Sequence, residues 1–291
     1  MLGLIFLLTL GCDRAISLSL SWQKVILSCL WGKRRLFGLT RTWHRVTDFD
    51  RVSDIYDATR KAPDDVMSAN LAIMEKVLRG YERILDVGTG TGRYAKPLCD
   101  RGLRIVGVDI STSMMAKARE KGLHDLVRGD AHRLPFLDQS FDAAVFVLLL
   151  HLVQDWVTVL HEIGRVCRGV VVSTVSREEG MNIRELYLRL REAYGVPLRK
   201  FNEGTEGLRS IIRPTEVYRL MDRIVESKTD ESIAYFADRK SSITWDVPQV
   251  IHDQIIGRIR SGHGGRILRQ RRVDEVAVWK AEQFRSFRRS A

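Results

Sequence analysis

Cysteine is scarce and scattered. The 291 residues hold four, Cys12, Cys29, Cys99 and Cys167, and no Cys-x-x-Cys pair. This argues against a disulfide framework and against a thiolate metal centre; no metal is expected, and a reducing cytoplasm fits. Long apolar runs are missing too. Residues 1–10 are apolar, and residues 15–31 are broken by Gln23-Lys24. Neither reaches the roughly 18 uninterrupted residues that a membrane span needs. Acids are scarce at the two ends. Residues 1–46 carry seven Lys/Arg and one Asp, and residues 254–291 carry ten Lys/Arg and three acids, so the middle is near neutral while the whole is +11. Basic ends attract nucleic acid or an anionic membrane surface, or simply keep a surface solvated. No internal repeat or low-complexity tract is visible.

The first 46 residues stand apart from the rest. Lys33-Arg34-Arg35 follows a short apolar segment, a pattern suited to lying on a membrane surface. Leu8-Thr9-Leu10-Gly11-Cys12 is a weak match to a lipoprotein cleavage site, since Thr9 replaces the usual branched aliphatic. The alternative is that the natural start lies near Val46 and that 1–45 is upstream sequence. Either way 1–46 is an appendage, and the fold is expected over 47–291.

From residue 47 the pattern becomes regular. Thr47 or Asp48 is placed to cap a helix with Phe49, Val52, Ile55 and Tyr56 on one face, and a second helix is expected over Asp64 to Arg79. Strands and helices then alternate: strands at 83–88, 104–110, 126–128, 141–148 and 169–175, with helices at 92–101, 112–121 and 155–166. Such alternation predicts an α/β fold with a parallel sheet. Beyond Ser176 the pattern loosens. Helices are expected at 182–194, 214–221, 232–239 and 248–260, with strands at 224–228 and 273–280. Residues 177–272 thus read as a helical cover inserted before the closing strand.

Three acidic residues end three of the strands, and a glycine ladder follows the first. The runs are Arg83-Ile84-Leu85-Asp86-Val87-Gly88-Thr89-Gly90-Thr91-Gly92, Arg104-Ile105-Val106-Gly107-Val108-Asp109 and Leu126-Val127-Arg128-Gly129-Asp130-Ala131. A parallel sheet brings such ends to one edge, where a single nucleoside-like ligand can touch them all. A dinucleotide site needs Gly-x-Gly-x-x-Gly, but here the third glycine comes one residue early and Arg93 follows it. Asp86 would also repel a pyrophosphate. S-adenosylmethionine carries no phosphate; its sulfonium and ammonium are cations, which an acidic strand end attracts.

With these motifs, and with Ser111, Met114, Leu134-Pro135-Phe136, Ser140-Phe141-Asp142 and Leu150-His151, residues 49–175 resemble the class I S-adenosylmethionine-dependent methyltransferases. The look is that of the branch containing quinone-biosynthesis and other small-molecule enzymes. The resemblance implies a Rossmann-like, seven-stranded, mostly parallel sheet with helices on both faces. It also implies roles. Gly88, Gly90 and Gly92 form the loop under the methionine and ribose. Asp86 holds the methionyl end. Asp109, followed by Ile110, accepts from the ribose hydroxyls. Met114 packs on the adenine, Asp130 accepts from its amine, and the Ala131 N–H meets the ring. Val147 and Leu148 sit near the methyl donor, and Tyr56 belongs to a lid segment with Arg60. Carboxylates suit a diol and an exocyclic amine on chemical grounds as well.

Plainer readings stand beside these. Asp86 and Asp130 would serve as loop- or turn-bonding carboxylates, and Met114 and Tyr56 as core. His151 is the best-placed general base if the acceptor must lose a proton; otherwise it packs against the next helix. Trp245, Tyr235 and Phe236 suit an acceptor pocket or a core. No Asp/Asn-Pro-Pro-Tyr/Phe tetrapeptide follows the fourth strand, which counts against methylation of exocyclic base amines, and no cysteine stands there for a covalent pyrimidine route. The expected acceptor is therefore a small molecule. An RNA or tRNA methyltransferase using Arg266, Arg269, Arg271, Arg272, Arg285, Arg288 and Arg289 is the alternative, and a non-catalytic cofactor-binding scaffold is the third reading.

Overall fold

The computed structural model describes residues 53–54, 56–59, 62–153, 155–196 and 204–288. The basic appendage 1–46, the helix start at Thr47 or Asp48, Arg60 and Arg289 lie outside these residues. What is described of the first expected helix is α1 (Tyr56–Thr59).

Helix α2 (Asp64–Leu78) leads into strand β1 (Ile84–Val87), then α3 (Ala95–Asp100), β2 (Ile105–Asp109), α4 (Thr112–Glu120), β3 (Leu126–Arg128) and β4 (Phe141–Val145). After a 3-10 turn at Leu150–Leu152 come α5 (Trp156–Val166) and β5 (Cys167–Glu179). The chain continues through α6 (Ile183–Ala193), α7 (Gly204–Ile211), β6 (Glu216–Lys228), α8 (Thr229–Ala237), α9 (Gln249–His263), β7 (Ile267–Lys280) and α10 (Ala281–Ser286). The helices start where their sequences provide caps: Ser111 accepts from the Met114 N–H at 3.2 Å, Asp155 from Thr158 at 3.1 Å and Asn182 from Glu185 at 2.7 Å.

The strands form one seven-stranded sheet in the order β3-β2-β1-β4-β5-β7-β6. The first five pair in parallel, while β7 runs antiparallel to both β5 and β6. The central strands are buried on both faces, so they read as continuous apolar runs. On one face Leu85, Val106, Val171, Ala277 and Trp279 pack against Val159, Leu160 and Ile163 of α5 and Phe284 of α10. On the other, Ile84, Ile105, Val145 and Val276 pack against Met74 of α2, Leu98 of α3 and Met115 of α4.

The cover over 177–272 departs from expectation: α7 was not anticipated, β5 and β7 extend into it, and one expected helix is a strand. Residues 216–221, most of the 214–221 stretch expected as a helix, belong to β6, which pairs with β7 from Glu216 to Lys228. Val217, Leu220, Met221, Ile224 and Val225 fall at helical spacing, and that misleads. Pairing to β7 wins, and a register shift between Arg219 and Met221 absorbs the irregular pattern. The cover is therefore half strand and half helix. Its helices α6, α8 and α9 enclose a separate small core around Tyr187, Phe236 and Ile255. Strand β4 also ends earlier than its apolar run suggests: Phe146 to Leu148 leave the strand, and Leu148 adopts a left-handed φ of 55°.

Candidate active site

The loop after β1 is built to come close to a ligand. Gly88, Gly90 and Gly92 have φ of 73°, 55° and 72°, a region that side chains disfavour. The N–H groups of Gly88 and Thr89 donate to the Val108 carbonyl at 2.8 and 3.1 Å, which draws the loop over β2. That approach depends on Gly107 in the middle of β2. A Cβ there would meet Thr89 Cγ2 and Leu126 Cδ2 at 2.7 Å. At Gly90, by contrast, the nearest atom to an added Cβ is 4.0 Å away, so the loop presents bare backbone to open space.

Asp86, at the end of β1, is buried, with 4% of its surface exposed. Burial pushes its carboxyl up to about 7; the Thr89 side chain opposes the shift and the charge of Asp109 adds to it. A cation arriving beside it would stabilise the ionised form. Asp109, at the end of β2, accepts from the Gly90 N–H at 2.8 Å with Oδ2 and from the Ser111 N–H at 2.8 Å with Oδ1. These bonds hold both oxygens in place.

A shallow cleft, open to solvent, lies at this sheet edge. Of the residues expected from the sequence, Tyr56, Asp86, Gly88, Gly90, Val147 and Leu148 line it. Thr89, Thr91, Arg93 and Tyr94 line it as well; they were not anticipated as site residues, although Arg93 and Tyr94 directly follow the glycine loop. Tyr56 is held by its neighbour Asp57, which accepts the Thr91 hydroxyl at 2.7 Å and pairs with Lys121. Lys121 also donates to the Thr91 carbonyl at 2.9 Å.

The remaining expected residues sit elsewhere. Gly92 turns inward, where an added Cβ would meet Leu123 and Ala118. Ile110, Asp130 and Ala131 follow the ends of β2 and β3, and Met114 lies in the first turn of α4, all beyond the cleft lining. Met114 is buried. The Asp130 carboxylate is engaged by its own turn: Oδ1 accepts from the His132 N–H at 2.9 Å and lies 2.7 Å from His132 Nδ1. His151 occupies the 3-10 turn past Leu148, half-buried and off the cleft lining, with Gly204 packed near its ring. Phe236 stacks on Tyr187 in the cover's core, Tyr235 packs edge-on to it, and Trp245 donates to the Arg239 carbonyl at 2.8 Å. Phe236 and Tyr235 thus belong to the cover's own core. Among the described residues no group of three or more His, Cys, Asp or Glu is placed to hold a metal ion. No helix among them is long and apolar enough to cross a membrane.

Residues 85–170 match the family described as a methyltransferase domain. A demethylmenaquinone methyltransferase from Beutenbergia cavernae is 35% identical over 164 residues, covering 52% of this chain and 66% of that protein. A phosphatidylethanolamine N-methyltransferase from Cereibacter sphaeroides is 38% identical over 109 residues, covering 34% of this chain and 53% of that one. The chain thus spans between about half and two thirds of the length of these relatives. A solved Bacillus halodurans protein, named as a candidate methyltransferase, shares the fold with a TM-score of 0.50 at 16% identity, covering 73% of this chain and 99% of its own. With Asp86, the glycine loop and Asp109 inside the matched segment, residues 85–170 are a class I S-adenosylmethionine-dependent methyltransferase domain.

Proposed function

We propose that this chain transfers a methyl group from S-adenosylmethionine to a small-molecule acceptor. The observation that carries the reading is this sheet edge: a buried acid and a bare glycine backbone line the cleft, and Asp109, just outside the lining, holds the Gly90 N–H. When bound, S-adenosylmethionine supplies a methyl group already activated on a sulfonium. Asp86 attracts the donor's cationic end, the backbone at Gly88 and Gly90 leaves space beneath it, and Asp109 accepts from its ribose. Val147 and Leu148 form an apolar wall that excludes water from the reacting region. Leu148 keeps a left-handed backbone that costs about 1–2 kcal/mol, and its side chain is 44% exposed in the cleft. His151 is the candidate to hold a proton if the acceptor must lose one; a donor this reactive otherwise needs alignment alone.

A small acceptor is favoured over RNA. The curated relatives are named for demethylmenaquinone and phosphatidylethanolamine, both of low molecular weight. Arg269, Arg271 and Arg272, counted toward a nucleic-acid surface, form ion pairs with Glu226, Asp222 and Asp274. Incubation with methyl-labelled donor, cell metabolites and bulk RNA separates the readings. Label should enter the small-molecule fraction; label confined to RNA would refute the proposal.

A further inference from the structure

One acid and one cation line the cleft, Asp86 and Arg93. They flank the same loop: Asp86 stands in β1 before the glycines, and Arg93 directly follows Gly92. They do not pair with each other. Among the described residues the Arg93 guanidinium forms no ion pair and no hydrogen bond. The neighbouring cations are engaged: Lys96 pairs with Asp100, and Lys121 with Asp57 and the Thr91 carbonyl. What Arg93 does meet is an aromatic face. Its Cζ lies 5.9 Å from the centroid of the Tyr94 ring, within cation–π range. Tyr94 packs against the core between the sheet and α2, and its hydroxyl reaches the Thr174 side chain of β5. Burial pushes that phenol up, with Arg93 opposing, so Tyr94 is neutral near pH 7 and gives the guanidinium no counter-charge.

An acid and a cation left apart in one cleft suit a zwitterion. The amino-acid end of S-adenosylmethionine is one, with an ammonium and a carboxylate on a single carbon. Asp86 suits the ammonium, and the carboxylate then needs donors of its own. The loop N–H groups are already spent: those of Gly88 and Thr89 on the Val108 carbonyl, that of Gly90 on Asp109 and that of Gly92 on the Thr89 carbonyl. A guanidinium offers two parallel N–H donors that match the two oxygens of a carboxylate.

We infer that Arg93 binds the α-carboxylate of the donor, so that the cleft reads both charges of the donor's amino-acid end. The inference rests on the methyltransferase reading and deepens it: Arg93 sets specificity for the donor, not for the acceptor.

Calorimetry on the full chain tests this by comparing S-adenosylmethionine with decarboxylated S-adenosylmethionine, which keeps the nucleoside, sulfonium and ammonium but has no carboxylate. Wild type should bind S-adenosylmethionine at least tenfold more tightly than the analogue. Arg93→Gln should lose at least tenfold toward S-adenosylmethionine and less than twofold toward the analogue, so the preference disappears. Arg93→Lys, which keeps the charge without the planar fork, should restore part of it. Equal affinity of the wild type for the two ligands would overturn the inference whether or not the variants fold. An Arg93→Gln protein that weakens both ligands alike would overturn it too, by marking a purely structural role, as would one that keeps the wild-type preference. Binding of neither ligand to the folded wild type would instead overturn the methyltransferase reading itself.

Discussion

Asp57 accepts the Thr91 hydroxyl at 2.7 Å and so fastens the helix bearing Tyr56 to the glycine loop. Thr91 is almost fully buried, whereas Asp57 is 42% exposed, so solvent weakens the bond's charge component. Asp57→Ala should release Tyr56 from the cleft mouth. We expect donor affinity to fall about fivefold, roughly 1 kcal/mol, with little change in unfolding temperature. Fluorescence titration against S-adenosylhomocysteine, alongside a melting curve, checks both halves.

Asp86 sets a pH dependence. Its carboxyl stands at about 7 in the free protein because it is buried. Its folded value is thus raised above its unfolded one, so its stabilising effect is complete near pH 4 and is lost as pH rises through about 7. A cationic donor favours the ionised form. Donor affinity should therefore increase with pH from 6 to 8, with proton release on binding at the lower end. Titrations in buffers of different ionisation enthalpy measure that release, and Asp86→Asn should abolish it.

Two glycines should fail in different ways. An added Cβ at Gly107 strikes Thr89 and Leu126 at 2.7 Å, so Gly107→Ala should cost about 1–3 kcal/mol of stability as well as donor binding. Gly90→Ala meets open space and bears only its left-handed backbone, about 1–2 kcal/mol. Its extra methyl points where the donor would lie, so binding should suffer more than stability. Denaturant melts and calorimetry on the pair separate the two effects.

The cover should be acid-labile. His252 is 1% exposed, and its Nδ1 lies 2.7 Å from the Tyr187 hydroxyl while Nε2 faces the Ala237 carbonyl at 3.3 Å. Burial holds its pKa below the usual 6.5, with nearby Arg239 pushing the same way and the Ala237 carbonyl and Asp253 opposing. The unfolded chain then takes up the proton first, so stability declines as pH falls from 6.5 toward the folded value. Amide exchange in α6, α8 and α9 should quicken between pH 7 and 5.5, and His252→Gln should remove most of that difference.

The parallel sheet and the glycine-loop cleft were legible because their residues sit in contiguous motifs. Asp86 and the glycine ladder are adjacent in sequence, and the alternation around them reveals the parallel sheet. Gly107 could have been suspected, since glycine inside a strand signals a close approach. The region after Ser176 was less legible. Glu275, for one, is met by Arg177, Arg209 and Arg219 from three other elements, and no local pattern marks that meeting. Residues 214–221 misled because an irregular edge strand can copy a helix's apolar spacing. The Asp57–Thr91 bond spans 34 residues and leaves no local mark.

The central claim is a donor site organised by Asp109. Calorimetric titration of S-adenosylmethionine into wild type and Asp109→Ala tests it most directly. Binding to wild type is predicted, with a loss of about 1.5–3 kcal/mol in the variant, roughly ten- to a hundredfold in affinity. Equal affinity in the two proteins, or no binding to the wild type, would contradict the account.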